Sequence, residues 1–146
     1  MSVRFQVVRA IRDLVETTVS PVPVTREGEP PSRIDGGELV ILRDVPGDDT
    51  DVMEETMSVR AWSLSHRLEL VFLRQDPDDR ACEQALDGRV DAVSDALMAD
   101  PTLGGIAEGL RLRPPAYERL RAEGDVPIGA MTVPVTVEYQ ANRPTG

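Results

Sequence analysis

Two side chains in this 146-residue chain have ordinary pKa values near neutrality: one histidine, His66, and one cysteine, Cys82. A thiolate–imidazole pair is the only nucleophile and base set they could form, and a zinc site would need further N or S donors that the chain does not supply. Cys82 falls on an apolar helical position and reads as a small buried residue; without a second cysteine it forms no internal disulfide. His66 falls on the apolar side of an alternating stretch, where a hydrogen-bonded structural histidine is expected. All 16 basic residues are arginine. The absence of lysine removes the phosphate-loop lysine, Schiff-base chemistry and a lysine general base together. No glycine-rich loop opens a helix, and an aromatic platform is not on offer from Trp62, two tyrosines and two phenylalanines. No catalytic, cofactor-binding or metal-binding residue is therefore assigned. Carboxylates are plentiful, so a small enzyme with a carboxylate nucleophile, of acyl-transferase type, stays open as a rival reading.

The acidic residues number 26, and the formal charge is -10. A surface of that sign does not grip a phosphate backbone, so contact with DNA should be non-adhesive. Six of the acids crowd into Asp44–Glu55: Asp44, Asp48, Asp49, Asp51, Glu54 and Glu55, around Pro46-Gly47. Like charges so close favour a solvated loop. Two readings of that loop stand side by side: a soluble hairpin tip, or a lining for a channel to which Asp48, Asp49, Asp51, Glu54 and Glu55 contribute.

The elements that would carry these residues follow from periodicity. Val7, Val8, Ile11, Leu14, Val15 and Val19 recur at steps of three and four, which predicts a helix over about 3–19, stopped by Ser20-Pro21. A Pro- and Gly-rich connection over about 21–37 is expected to be extended. Glu38–Arg43 reads as a strand covered on both faces, and Thr56–Leu73 as a long strand with Trp62, Leu64, His66, Leu68, Leu70 and Phe72 on one side. Asp76-Pro77-Asp78-Asp79 reads as a helix start with an acceptor cap and a first-turn proline. Cys82, Leu86, Val90, Val93 and Leu97 then mark the buried face of that second helix, which ends near Asp100-Pro101. Gly109–Arg113 is a short strand, and Ala116–Asp125 a loop or one helical turn. Ala130–Tyr139 is the clearest strand, with Met131, Val133, Val135, Val137 and Tyr139 on one face. Pro134 lacks an N–H, which predicts a sheet edge or a bulge there.

This order gives an α+β fold, a mostly antiparallel sheet with two helices packed on one face, in a single domain over 1–146. No apolar run approaches the length needed to span a bilayer. The opening Met1-Ser-Val-Arg-Phe-Gln has no apolar signal core, so synthesis in the cytoplasm and no membrane partner are expected.

Two stretches carry a family likeness. Asp95-Ala-Leu-Met-Ala-Asp-Pro-Thr-Leu-Gly-Gly105, with Ala85-Leu86 before it, resembles the second helix and terminating turn of the tail-terminator (minor tail) proteins of long-tailed bacteriophages and gene transfer agents. Val126-Pro-Ile-Gly-Ala-Met-Thr-Val-Pro-Val-Thr-Val-Glu-Tyr139 resembles their final strand. With Gly37–Arg43 and its acidic loop, the likeness covers most of residues 36–141; the N-terminal helix agrees only in kind. The resemblance implies a fold similar to the lambda-type terminator and a hexameric ring in the virion, between the major tail-tube protein and the head-completion or connector protein. There the ring would stop tube polymerisation and dock the head, while DNA passes through its lumen without specific binding. A neck or head-completion protein of related fold is the alternative within the same class. The resemblance implies no catalytic residues and no cofactor.

Overall fold

The structure, a computed structural model, describes residues 1–26, 28–31, 33–45, 50–56, 61–120, 126–143 and 145–146, the segment 50–56 by its backbone. Helix α1 spans Val3–Val19. Ser2 caps it by accepting from Phe5 N at 3.1 Å, and Val7, Val8, Ile11, Val15 and Val19 form its buried stripe. Leu14, expected in that stripe, is only half-buried.

Among the described residues seven strands form one sheet: β1 (Val24–Arg26), β2 (Glu38–Asp44), β3 (Thr50–Thr56), β4 (Ala61–Gln75), β5 (Gly109–Leu112), β6 (Ala116–Leu120) and β7 (Ile128–Ala141). The long strands β4 and β7 run antiparallel through its centre, from Trp62 opposite Ala141 to Gln75 opposite Ile128. On the free edge of β4, β2 and β3 pair end to end with its two halves. On the free edge of β7, β5 and β6 do the same. The short strand β1 adds to β2 in parallel, and every other pairing is antiparallel.

Helix α2 (Asp79–Ala99) packs with α1 on the sheet face that carries Val40, Leu42, Leu64, Leu68, Leu70, Phe72 and the odd-numbered side chains of β7 from Met131 to Tyr139. This is the α+β architecture expected from the sequence, and the face assignments of β4 and β7 match residue by residue. The other face is apolar at one end, where Ile34, Ile41, Val71, Leu73, Ile128 and Ala130 cluster. Val40, Ile41 and Leu42 are thus covered from both sides, as the run of branched residues in Glu38–Arg43 predicts.

Four local expectations are corrected. Residues 50–56 form strand β3, collinear with β2, and so do not belong to a hairpin tip between β2 and β4. Residues 116–120 form strand β6, because the free backbone edge of β7 beyond Pro134 accepts a partner. Val24–Arg26, inside the connection expected to be only extended, pairs with Val40–Leu42 as β1. The start of α2 moves two residues on: Asp78 is the cap, accepting from Ala81 N at 3.1 Å. Asp76 instead accepts from Asp78 N at 2.9 Å and from Arg74, which engages it before the helix begins.

Pro134 is not on an edge strand, since β7 is paired on both sides. Its carbonyl accepts from Arg113 N at 3.1 Å, so its nitrogen faces the same side. That side is the interruption between β5 and β6 at Arg113-Pro114-Pro115, where no ladder bond is lost. Helix α2 ends at Ala99 with Asp100 as its C-cap, and beyond it, where the Asp100 carboxylate accepts from Gly104 N at 3.0 Å, Gly104 and Gly105 take φ of 71° and 96° in a short 3-10 turn.

Candidate functional site

The side chains with acid–base chemistry lie far apart, His66 within β4 and Cys82 on α2 beside the far end of that strand. His66 is fully buried, and its Nε2 lies 2.8 Å from Asp44 Oδ1. Facing a carboxylate, that nitrogen carries the proton and donates. Asp44 Oδ2 accepts from Arg26 at 3.0 Å, and Arg4 of α1 lies 3.6 Å away. Burial pushes the Asp44 carboxyl up, but the hydrogen bond from His66 and the charge of Arg26 outweigh it and hold it below the usual carboxylate range. Asp44 therefore belongs to strand β2, half-buried against His66, and not to the acidic loop. Its partnership with His66 was missed in the sequence. The signal was parity, since Asp44 continues the Val40, Leu42 face that packs under the helices.

Cys82 Sγ donates to Arg74 O at 3.5 Å. Arg74 is eight residues along β4 from His66, about 26 Å at strand rise, so thiol and imidazole form no pair. Around Cys82 the contacts are packing and latching ones. The Tyr117 phenol donates to Asp79 Oδ1 at 2.7 Å, and burial together with that carboxylate pushes its pKa up. Arg119 reaches Asp79 at 3.7 Å and also donates to Asp76 O, so β6 is tied to the start of α2. Gly129 opposes them: a Cβ there would lie 2.4 Å from Cys82 Sγ. Among the described residues, no group of three or more His, Cys, Asp and Glu side chains could hold a metal ion.

Of the five acids singled out from the sequence, Asp48 and Asp49 lie outside the described residues. Asp51, Glu54 and Glu55 belong to β3, whose backbone pairs Asp51 with Ser65, Glu54 with Ser63 and Glu55 with Trp62, with a register shift between Val52 and Glu54. The structure thus puts three of the five on one strand at the border of the sheet.

What remains is surface. A groove of about 360 Å³ runs between α1 and β1, lined by Arg4, Phe5, Arg9, Arg12 and Arg26 with Val8 and Asp13. Phe5 is 58% exposed. The exposed side of α2 carries Glu83, Asp87, Asp91 and Asp95 at steps of four, with Met98 53% exposed beyond them. Some charges elsewhere are paired within the chain: Glu38 bridges Arg74 and Arg89, at 2.6 and 3.1 Å, and Arg43 binds Glu69 at 2.7 Å.

No protein-family model matches the chain, and no curated protein matches it. Among solved structures, 95% of the chain superposes on 57% of a chain from the sheath/tube terminator of an extracellular contractile injection system, PVC, in the extended state, with a TM-score of 0.50 and 12% identity. A chain from the virion of a native gene transfer agent particle superposes over 96% of this chain and 92% of its own length, with a TM-score of 0.41 and 14% identity. The fold is shared with the injection-system chain, of which this one spans little more than half the length.

Proposed function

We propose that this protein is a structural component of a phage-tail-like particle, a tail terminator that forms a homomeric ring at the head-proximal end of the tail tube. The observation that carries the reading is the fold shared, over nearly the whole chain, with a sheath/tube terminator chain. The separation of His66 from Cys82, and the packing or latching partners of each, give the chain surfaces to work with in place of a nucleophile–base pair. In this reading one domain acts as one ring subunit, and the family likeness extends to a ring of six.

 The ring caps the growing tube, stops its polymerisation and offers its other side to the head-completion or connector protein. If particles are assembled without this chain, tubes should grow beyond their normal length and fail to join heads; tubes of normal length, joined to heads, would contradict the role.

The acidic segment has a place in the same proposal. Each copy brings a formal charge of -10, and acids on the inner wall of a ring would keep passing DNA from adhering. Such repulsion acts over about one Debye length, roughly 8–10 Å in physiological salt, so only groups at the wall contribute. The reading assigns Asp48, Asp49, Asp51, Glu54 and Glu55 to that wall. Replacing all five by Asn or Gln should leave folding and assembly intact while slowing DNA ejection or increasing retained DNA; unchanged ejection returns the segment to a purely solubilising role.

A further inference from the structure

The groove beside α1 gathers positive charge on a strongly acidic molecule. Arg4, Arg9 and Arg12 project along one side of α1 and Arg26 joins them from β1, around the exposed ring of Phe5. Within the chain Arg4 and Arg26 share the Asp44 carboxylate, at 3.6 and 3.0 Å, whereas Arg9 lies 3.9 Å from Asp13 and Arg12 lies 3.3 Å from Glu16, both of these pairs solvent-exposed and of small energetic worth, so Arg9 and Arg12 are the charges that a partner can engage. Phosphate-rich partners are disfavoured by the net charge of -10. An acidic protein surface with an apolar element would match both the arginines and Phe5.

The same chain presents such a surface. Glu83, Asp87 and Asp91 rise about 12 Å along α2, and Arg4 to Arg12 rise about 12 Å along α1, at 1.5 Å per residue. Met98 supplies the exposed apolar side chain at the far end of the acidic row. The two surfaces lie toward opposite sides of the helical layer: the groove is completed by β1, at one edge of the sheet, whereas α2 lies over β4, β7 and β5, toward the other. A pairing of two different patches on one chain is head-to-tail, and head-to-tail contacts close into a ring when the rotation per subunit allows.

We propose that the arginine groove of α1 and β1 receives the acidic face of α2 from a second copy of this chain, and that this contact is the joint between ring neighbours. It rests on the ring reading above and names the surfaces that build it. Charge pairing fixes the register of the contact, and the burial of Phe5 and Met98 adds apolar area to it.

Disulfide trapping tests it on the intact protein, because Cys82 is buried and leaves introduced thiols as the reactive ones. Arg12→Cys and Asp91→Cys are prepared as separate variants, mixed and oxidised. The mixture should give several-fold more linked pair than either variant alone, with the excess shrinking as salt is raised. A chain carrying both substitutions should give a ladder of linked multimers. Equal yields from the mixture and the single variants, or no ladder, would overturn the contact. Charge reversal supplies a second readout: Arg9→Glu with Arg12→Glu should abolish trapping at a pair of positions elsewhere on the same surfaces, and adding Asp87→Arg with Asp91→Arg to that chain should restore it. Particles with this protein at the head end of the tube but with neighbours joined through other faces would overturn the contact and leave the terminator role standing. Linked rings that are absent from the tube end would do the reverse.

Discussion

Asp44 shows how far a single position can depart from its neighbourhood in sequence. It stands first in a run of six acids, yet it is half-buried and held between His66 and Arg26. Folding favours its ionised form, since its pKa lies below the ordinary 3.8. Its contribution is therefore complete above the usual carboxylate range and is lost as pH falls through the depressed value. Asp44→Asn keeps the shape and removes the charge. It should cost about 1–2 kcal/mol at neutral pH, and the gap between wild type and variant should close as pH is lowered below 4 (about the ordinary carboxylate value). Melting temperatures measured across acid pH check this; a gap that persists unchanged at low pH would show that the charge of Asp44 is not what stabilises the fold.

At the scale of elements, the strands with strict alternation were legible and those defined by pairing were not. β4 and β7 declare themselves through period-two apolar residues, and α1 and α2 through steps of three and four. β3 is rich in acids and β6 contains Glu118 and Arg119, so neither has the composition of a buried strand; each forms because a long central strand leaves a backbone edge to be satisfied. The charged residues of the site were legible as types but not as partners, because Asp44–His66 and Tyr117–Asp79 depend on the register between strands and on how β6 meets α2. The inward face of β7 can be tested against its neighbour position. Val135 is fully buried, so Val135→Asp should cost about 4 kcal/mol or more and give insoluble or unfolded protein. Pro134→Thr, at a position whose nitrogen faces the break between β5 and β6, should change stability by no more than about 1 kcal/mol. Soluble, normally melting Val135→Asp protein would reverse the assignment of the two faces.

For the whole molecule, the fold organises its chemistry outward. Two central strands and two helices enclose the apolar core, the buried His66 is engaged by Asp44, and the surface includes an arginine groove and an acidic helix face. The proposed ring would use these two surfaces side by side. The most direct test is to locate the protein in assembled particles by cryo-electron imaging with a label on this chain. The account predicts a single ring at the junction of tube and head; label distributed along the tube, or confined to its distal tip, would contradict it.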